Sequence, residues 1–160
     1  MLTSIKNINE IQLKKIAEVM AIDLPKQLNL YLLGDLGAGK TTFVRYFLQS
    51  LGYTDLIKSP TYTIVETYLI QDKKINHFDL YRLIDPEELS YIGIHDYFSS
   101  EAINLIEWPE KGKAFLPECD LEIKFQIETE KVRELIFKAN SRQGEEILKQ
   151  IKEGLGEKNI

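Results

Sequence analysis

A glycine-rich segment constrains this chain more than any other feature. Residues 34–41 read GDLGAGKT and match the pattern G-x-x-x-x-G-K-[S/T] at every fixed position. Glycines let the backbone fold so that successive N–H groups point inward, and a following helix adds the positive end of its dipole. An apolar run at residues 28–33 precedes the segment, and a helical pattern at residues 41–51 follows it. This strand-loop-helix context predicts a site for a nucleoside triphosphate.

The residues of this loop have distinct expected roles. Lys40 is expected to contact the β- and γ-phosphates, Thr41 to coordinate Mg²⁺ through its hydroxyl, and Thr42 to lie near the α-phosphate. The remaining loop residues predicted to bind the nucleotide are Leu36, Gly37, Ala38 and Gly39.

Two carboxylates follow apolar strand patterns and are candidate partners for the ion. Asp79 lies where an acidic side chain among apolar neighbours is costly unless it has a cation partner; a helix cap or a surface turn is the alternative. Glu107 follows a predicted strand at residues 102–106, and it could either bind Mg²⁺ or orient the attacking water. The sequence does not separate these two roles, so Asp79 and Glu107 join Lys40 as candidate catalytic residues.

Three other side chains near these motifs allow structural and functional interpretations. Thr61, in the SPTYT segment at residues 59–63, could sense the γ-phosphate, or the segment could be an ordinary proline turn. Trp108 could pack in the core or report the state of the site. His77 is expected to be a packed or hydrogen-bonded histidine rather than a base.

The order of the predicted elements favours an α/β fold. Asn9 and Gln12 resemble a capping box before a first helix, and the short apolar runs entering the glycine loop and Glu107 are typical of buried strands. Hairpin patterns and further helices indicate a mixed sheet; the hairpins are predicted at residues 62–70 with 75–81 and 121–127 with 133–139, and the helices from residue 85 and over 144–151. We predict a single P-loop NTPase-like domain over residues 1–160, with a mixed parallel and antiparallel sheet flanked by helices.

Composition limits the partners and the compartment. A net charge of −5 and a pI near 5.2 argue against a chain that attracts nucleic acid or anionic lipid through its overall field. Cys119 is the only cysteine, so an intramolecular disulfide is impossible and a reducing compartment is expected. No leader pattern or membrane-length apolar window is evident, which predicts a cytoplasmic protein with no membrane partner.

Four ordered blocks resemble the bacterial TsaE family, also called YjeE. They are GDLGAGKTTF at residues 34–43, KSPTYT at 58–63, HFDLYRL followed by DPEEL within 77–89, and EWP at 107–109. The resemblance spans nearly the whole chain. It implies an Mg²⁺-dependent ATPase of the pathway that installs threonylcarbamoyl on adenosine 37 of tRNAs reading ANN codons. It also implies that the chain binds the TsaB–TsaD complex and resets it by ATP hydrolysis, with tRNA contacted only through these partners.

The same resemblance implies roles for individual residues. It makes Thr41 and Glu107 the magnesium ligands and Asp79 the essential carboxylate of a Walker B-like strand. The further positions that it brings to the nucleotide are Glu10 at the start of the first helix, Thr61 in a switch segment, and Trp108 in the Glu-Trp pair.

Three other classes are less consistent with the sequence. A GTPase is expected to carry N-K-x-D and D-x-x-G motifs, and this chain has neither, so ATP is the expected nucleotide. A small-molecule P-loop kinase is the main alternative, with Asp79 as the base, but such kinases close an arginine-bearing lid over the phosphates. No lid-like run is evident among the four arginines, Arg45, Arg82, Arg133 and Arg142. A non-hydrolysing binding module would not need this full set of candidate residues, so we expect an ATPase with slow turnover that a partner stimulates.

Overall fold

Seven strands form one mixed sheet in the computed structural model, which describes residues 1–156. In spatial order the strands are β1-β7-β6-β2-β5-β4-β3. Strands β6, β2, β5 and β4 are parallel to one another, whereas β1, β7 and β3 pair antiparallel to their neighbours. The bounds are β1 (Leu2–Ile8), β2 (Leu28–Gly34), β3 (Val65–Ile70), β4 (Lys73–Asp79), β5 (Ile103–Glu107), β6 (Leu121–Ile127) and β7 (Arg133–Ala139).

In the described part of the chain, five α-helices flank this sheet, which confirms the predicted α/β class. They are α1 (Glu10–Met20), α2 (Lys40–Ser50), α3 (Glu88–Tyr91), α4 (Ile94–Phe98) and α5 (Arg142–Leu155). The larger core lies between the sheet and helices α1, α2 and α5, where Phe43 of α2 meets Phe125 of β6 with ring centroids 5.9 Å apart. A smaller core around Phe78 and Ile106 packs under α3, α4 and two short 3₁₀ turns on the opposite face.

Local capping explains where the helices begin. The predicted capping box is confirmed, because the Asn9 side chain accepts from the Gln12 amide at 2.9 Å and the Gln12 side chain accepts from the Asn9 amide at 2.9 Å. Helix α5 is longer than predicted, since the Ser141 hydroxyl accepts from the Gly144 amide and caps it earlier. Asp85 accepts from the Glu87 amide at 3.0 Å, yet the helix predicted there spans four residues, starts at Glu88, and is followed by a break before α4.

A ladder of buried amides crosses four strands in register. The Thr67 hydroxyl donates to Asn76, Asn76 donates to Asn104, and Asn104 donates to Asn29, at 2.8, 2.9 and 2.8 Å. The side-chain amide of Asn29 in turn donates to the carbonyl oxygen of Glu118 at 3.1 Å. Because each residue pairs with the next across adjacent strands, the ladder favours one register of β3, β4, β5 and β2.

The extent of the domain stays a prediction. Residues 157–160 of the predicted domain lie outside the described residues. Within residues 1–156, no helix is long and apolar enough to cross a membrane.

Candidate functional site

The carboxyl ends of three parallel strands bring the predicted motifs to one edge of the sheet. Strand β2 ends at Gly34 and enters the glycine loop, β4 ends at Asp79, and β5 ends at Glu107. Asp79 and Glu107 are paired across β4 and β5, and Glu107 also pairs with Leu32 of β2. Ligands of parallel α/β sheets bind outside the carboxyl ends of the strands, so this edge is the expected place for a site.

The glycine loop adopts a backbone that side chains would disturb. Gly34 has φ +137°, and a Cβ atom there would lie 2.5 Å from the carbonyl oxygen of Phe125. Gly37 has φ +77° and faces open space. Helix α2 begins at Lys40. Its N-cap residue is Gly39, so no side chain at that position caps the helix. A helix N-terminus that no side chain caps offers N–H donors and a positive dipole end, which suits a phosphate.

The ammonium group of Lys40 is held inside the loop. It donates to the carbonyl oxygens of Gly34 at 2.5 Å and Asp35 at 2.9 Å, and it lies 4.4 Å from the ring centroid of Trp108. The side chain is only 4% exposed. This burial lowers the pKa of Lys40 from its ordinary value, while the nearby carboxylates, above all Glu107, oppose the shift.

Thr41 and Glu107, the two residues predicted to bind magnesium, are in direct contact. The Thr41 hydroxyl lies 3.0 Å from Oε1 and 3.2 Å from Oε2 of Glu107. The Glu107 side chain is almost completely buried, and its Oε1 lies 2.8 Å from Nε2 of His77. The prediction that His77 is a hydrogen-bonded histidine is thus confirmed, and its partner is this carboxylate. Hydroxyl and carboxylate oxygens are ligands that Mg²⁺ prefers, so Thr41 and Glu107 could hold the ion.

The Asp79 carboxylate faces the same cleft. Its Oδ1 accepts from the Tyr81 amide at 3.0 Å, and its Oδ2 lies 3.4 Å from the Thr61 hydroxyl. Burial raises the pKa of Asp79, an effect that the hydrogen bond from Tyr81 opposes.

Thr61 belongs to a turn over residues 60–63, so the proline turn and the contact with a site carboxylate occur together. Ile64, directly after this turn, has φ +69°, which is rare for a β-branched residue and indicates local strain.

A cleft of about 400 Å³ brings together all the predicted site residues except Glu10. Half-buried Trp108 packs against the smaller core and also lines this cleft, and a role in reporting the state of the site stays a prediction. The roles assigned to these residues stay predictions. The predicted residues in the cleft are Leu36, Gly37, Ala38, Gly39, Lys40, Thr41, Thr42, Thr61, Asp79, Glu107 and Trp108.

Glu10 lines a second cavity of about 450 Å³ beside the cleft. The two cavities share Gly39, Thr42 and Arg133, so Glu10 is a neighbour of the loop and not part of the cleft itself. Its carboxylate accepts a hydrogen bond from the Tyr46 hydroxyl of α2. The structure therefore separates Glu10 from the residues around Thr41 and Glu107.

Two arginines on the wall of this cleft were not predicted as site residues from the sequence. Arg133, at the start of β7, donates to the carbonyl oxygen of Ala38 at 3.0 Å, and Arg82 lies against the ring of Tyr62 with its guanidinium carbon 4.5 Å from the centroid. Both arginines line the cleft, whereas Arg142 pairs with Glu146 on α5. Arg82 is part of the HFDLYRL block, which could have indicated it; no local signal indicates Arg133.

Comparison with known proteins gives a consistent result. The family described as "Threonylcarbamoyl adenosine biosynthesis protein TsaE" matches residues 7–135. The chain is 56% identical over 109 residues to the tRNA threonylcarbamoyladenosine biosynthesis protein TsaE of Haemophilus influenzae, covering 68% of this chain and 69% of that protein. It is 35% identical over 134 residues to the protein of the same name from Bacillus subtilis, covering 84% of each.

A solved structure has the same fold. The crystal structure of Bacillus subtilis YdiB superposes with a TM-score of 0.80 at 27% sequence identity, covering 98% of this chain and 97% of that one. The family match covers most of the chain and includes the glycine loop, Asp79 and Glu107. The resemblance found in the four sequence blocks is therefore confirmed, and this chain belongs to the TsaE family.

Proposed function

We propose that this chain is the ATP-binding and ATP-hydrolysing component of the machinery that makes threonylcarbamoyladenosine in tRNA. Membership of the TsaE family supports the pathway. The observation that carries the ATPase proposal is the Thr41 hydroxyl 3.0 Å from the Glu107 carboxylate, beside a glycine loop with an uncapped helix N-terminus. This combination offers oxygen ligands for Mg²⁺ next to donors for the phosphates.

Each side chain has a proposed part in hydrolysis. Lys40 exchanges its loop carbonyl partners for the phosphates, and the amides at the start of α2 hold the phosphate oxygens. Thr41 and Glu107 hold Mg²⁺, which supplies positive charge against the charge that develops on the phosphate oxygens. Asp79, whose pKa burial raises, orients the attacking water and is placed to accept its proton.

The proposed partner is the complex of TsaB and TsaD, which ATP hydrolysis by this chain resets between catalytic cycles. Thr61 lies in a turn beside Asp79, and the next residue, Tyr62, is 83% exposed, so a bound partner can act on the site through this segment. Turnover without the partner is expected to be slow. A net charge of −5 fits contact with tRNA through the partners only.

The test is steady-state ATP hydrolysis with Mg²⁺, with and without TsaB and TsaD. We expect a low basal rate that rises when both partners are added and that is lost in Lys40→Ala and Glu107→Ala. Lys124→Ala, on an exposed position of β6, is the matched lysine control. A rate that TsaB and TsaD leave unchanged would contradict the proposed partner.

A small-molecule kinase remains the second candidate because two arginines, Arg82 and Arg133, line the cleft. Cationic side chains at this place are what phosphoryl transfer to a substrate requires. Transfer of the γ-phosphate from ATP to a small acceptor, without stimulation by TsaB and TsaD, would favour this candidate over the ATPase.

A further inference from the structure

The buried side chains of His77 and Glu107, on neighbouring strands, are in contact beside the candidate site. Nε2 of His77 on β4 lies 2.8 Å from Oε1 of Glu107 on β5, with the two side chains 0% and 3% exposed. Burying a carboxylate is costly unless hydrogen bonds satisfy it. His77 and Thr41 satisfy Glu107 among the residues that the structure describes.

The direction of this hydrogen bond follows from the groups involved. An ionised carboxylate can only accept, so Nε2 of His77 carries the proton and donates it to Oε1 of Glu107. The other ring nitrogen, Nδ1, is buried and has no hydrogen-bond partner within residues 1–156. The contact with Glu107 is therefore the one hydrogen bond that the side chain of His77 makes in the described part of the chain.

The two oxygens of Glu107 differ in consequence. Among residues 1–156, Oε1 receives a hydrogen bond from His77 and another from Thr41, whereas Oε2 has only the longer Thr41 contact of 3.2 Å. A carboxylate oxygen with few donors keeps lone pairs for an ion. Within the described residues, Oε2 is therefore the Glu107 oxygen with fewer hydrogen bonds and more lone-pair capacity for an ion.

We propose that His77 is a positioning residue that holds the Glu107 carboxylate in the orientation that binds Mg²⁺, an inference that rests on the proposed function. His77 is not among the residues that line the cleft, and it acts through Glu107. Partners that orient a ligating carboxylate contribute about 10- to 100-fold to metal affinity in other proteins. The effect of His77 is accordingly expected on the contribution of Mg²⁺, and not on the binding of the nucleotide without the ion.

The experiment is calorimetric titration of the full chain with the non-hydrolysable ATP analogue in which an imido group bridges the β- and γ-phosphates. Each variant is titrated once with Mg²⁺ and once with EDTA. The quantity compared between variants is the dissociation constant in EDTA divided by the dissociation constant with Mg²⁺. We expect His77→Leu to reduce this ratio about 10-fold or more and to leave the dissociation constant in EDTA within about 2-fold. His95→Leu, which removes the other, exposed histidine, should behave as the unsubstituted chain.

A polar pair of variants keeps the test valid if His77→Leu does not fold. The side-chain amide of Gln can take the place of Nε2, whereas the shorter side chain of Asn reaches only the place of Nδ1. We expect His77→Gln to retain most of the Mg²⁺ effect and His77→Asn to lose it. Equal Mg²⁺ effects in His77→Gln and His77→Asn would overturn the proposal.

The outcomes separate this inference from the proposed function. A normal Mg²⁺ effect in folded His77→Leu, or an equal loss of affinity with Mg²⁺ and with EDTA, would overturn the role of His77 alone. If the unsubstituted chain does not bind the analogue more tightly with Mg²⁺, the proposed function fails and this inference fails with it.

Discussion

The Thr41 hydroxyl lies 3.0 Å from Oε1 of Glu107, although the two residues are 66 positions apart in the sequence. Thr41 stands in the first turn of α2, and Glu107 is the last residue of β5. Strand β2 leads into the loop before α2 and pairs in parallel with β5, so the loop and Glu107 meet at one edge of the sheet. The candidate ligands for Mg²⁺ are thus held together by the protein's own packing.

Replacing Lys40 tests the proposed phosphate site directly. Lys40→Met keeps the unbranched stem of the side chain and removes the ammonium group, which is already costly to bury. We expect ATP hydrolysis to fall about 100-fold or more, the effect of losing one electrostatic stabiliser, while the thermal unfolding midpoint without nucleotide stays the same or rises. Lys124→Met is the control. Hydrolysis near the unsubstituted rate would contradict the role of Lys40.

Asp79→Asn is expected to stabilise the nucleotide-free protein at pH 7 and to reduce hydrolysis. Burial raises the pKa of Asp79, so between its unfolded and folded pKa values the folded state binds more protons. The stability of the unsubstituted chain therefore falls as pH rises through this window, and above it the folded state carries the full cost of a buried carboxylate.

Thermal unfolding of the unsubstituted chain and of Asp79→Asn at a series of pH values tests this expected pH dependence of stability. The advantage of Asp79→Asn should be present at pH 7 and should disappear as the pH falls below the ordinary pKa of an aspartate. Stabilisation that is equal at all pH values, or destabilisation at pH 7, would show that burial of the charge is not the cause.

Asn104 tests the buried amide ladder. Asn104→Leu removes the partners of the Asn76 amide and the Asn29 oxygen while filling a similar volume. Unsatisfied buried groups cost about 1–3 kcal/mol each, so we expect a loss of about 2 kcal/mol or more in the free energy of unfolding. Urea denaturation measures it, with exposed Gln126→Ala as the control. A change as small as that of Gln126→Ala would mean that the ladder contributes little.

The glycine loop predicts unequal effects of alanine at two positions. Gly34→Ala combines an unfavourable φ with a Cβ 2.5 Å from the Phe125 carbonyl oxygen, and we expect it to cost about 2–4 kcal/mol of stability. Gly37→Ala has open space and only the backbone cost, about 1 kcal/mol. Chemical denaturation of the two variants compares them. Equal losses would contradict the close approach of β6 to Gly34.

Local features of the sequence predicted much of the fold. The glycine loop, the capping box of Asn9 and Gln12, and the hairpin of β6 and β7 all depend on spacing and hydrogen bonds within a short segment. Such features can be predicted from neighbouring residues, because turns, helix caps and the alternation of apolar and polar side chains each depend on a few consecutive positions. Family resemblance added candidate roles for Thr61 and Trp108, which local pattern left open.

Only the tertiary structure decided which distant residues meet. Strand β1 was not predicted, since its place depends on pairing with β7 from the other end of the chain. Arg133 reaches the carbonyl oxygen of Ala38 across 95 positions, and His77 reaches Glu107 across 30. These contacts follow from the order of the strands, which no local pattern encodes. The sequence alone therefore determined the glycine loop and the class of fold, whereas packing of the sheet decided which side chains complete the candidate site.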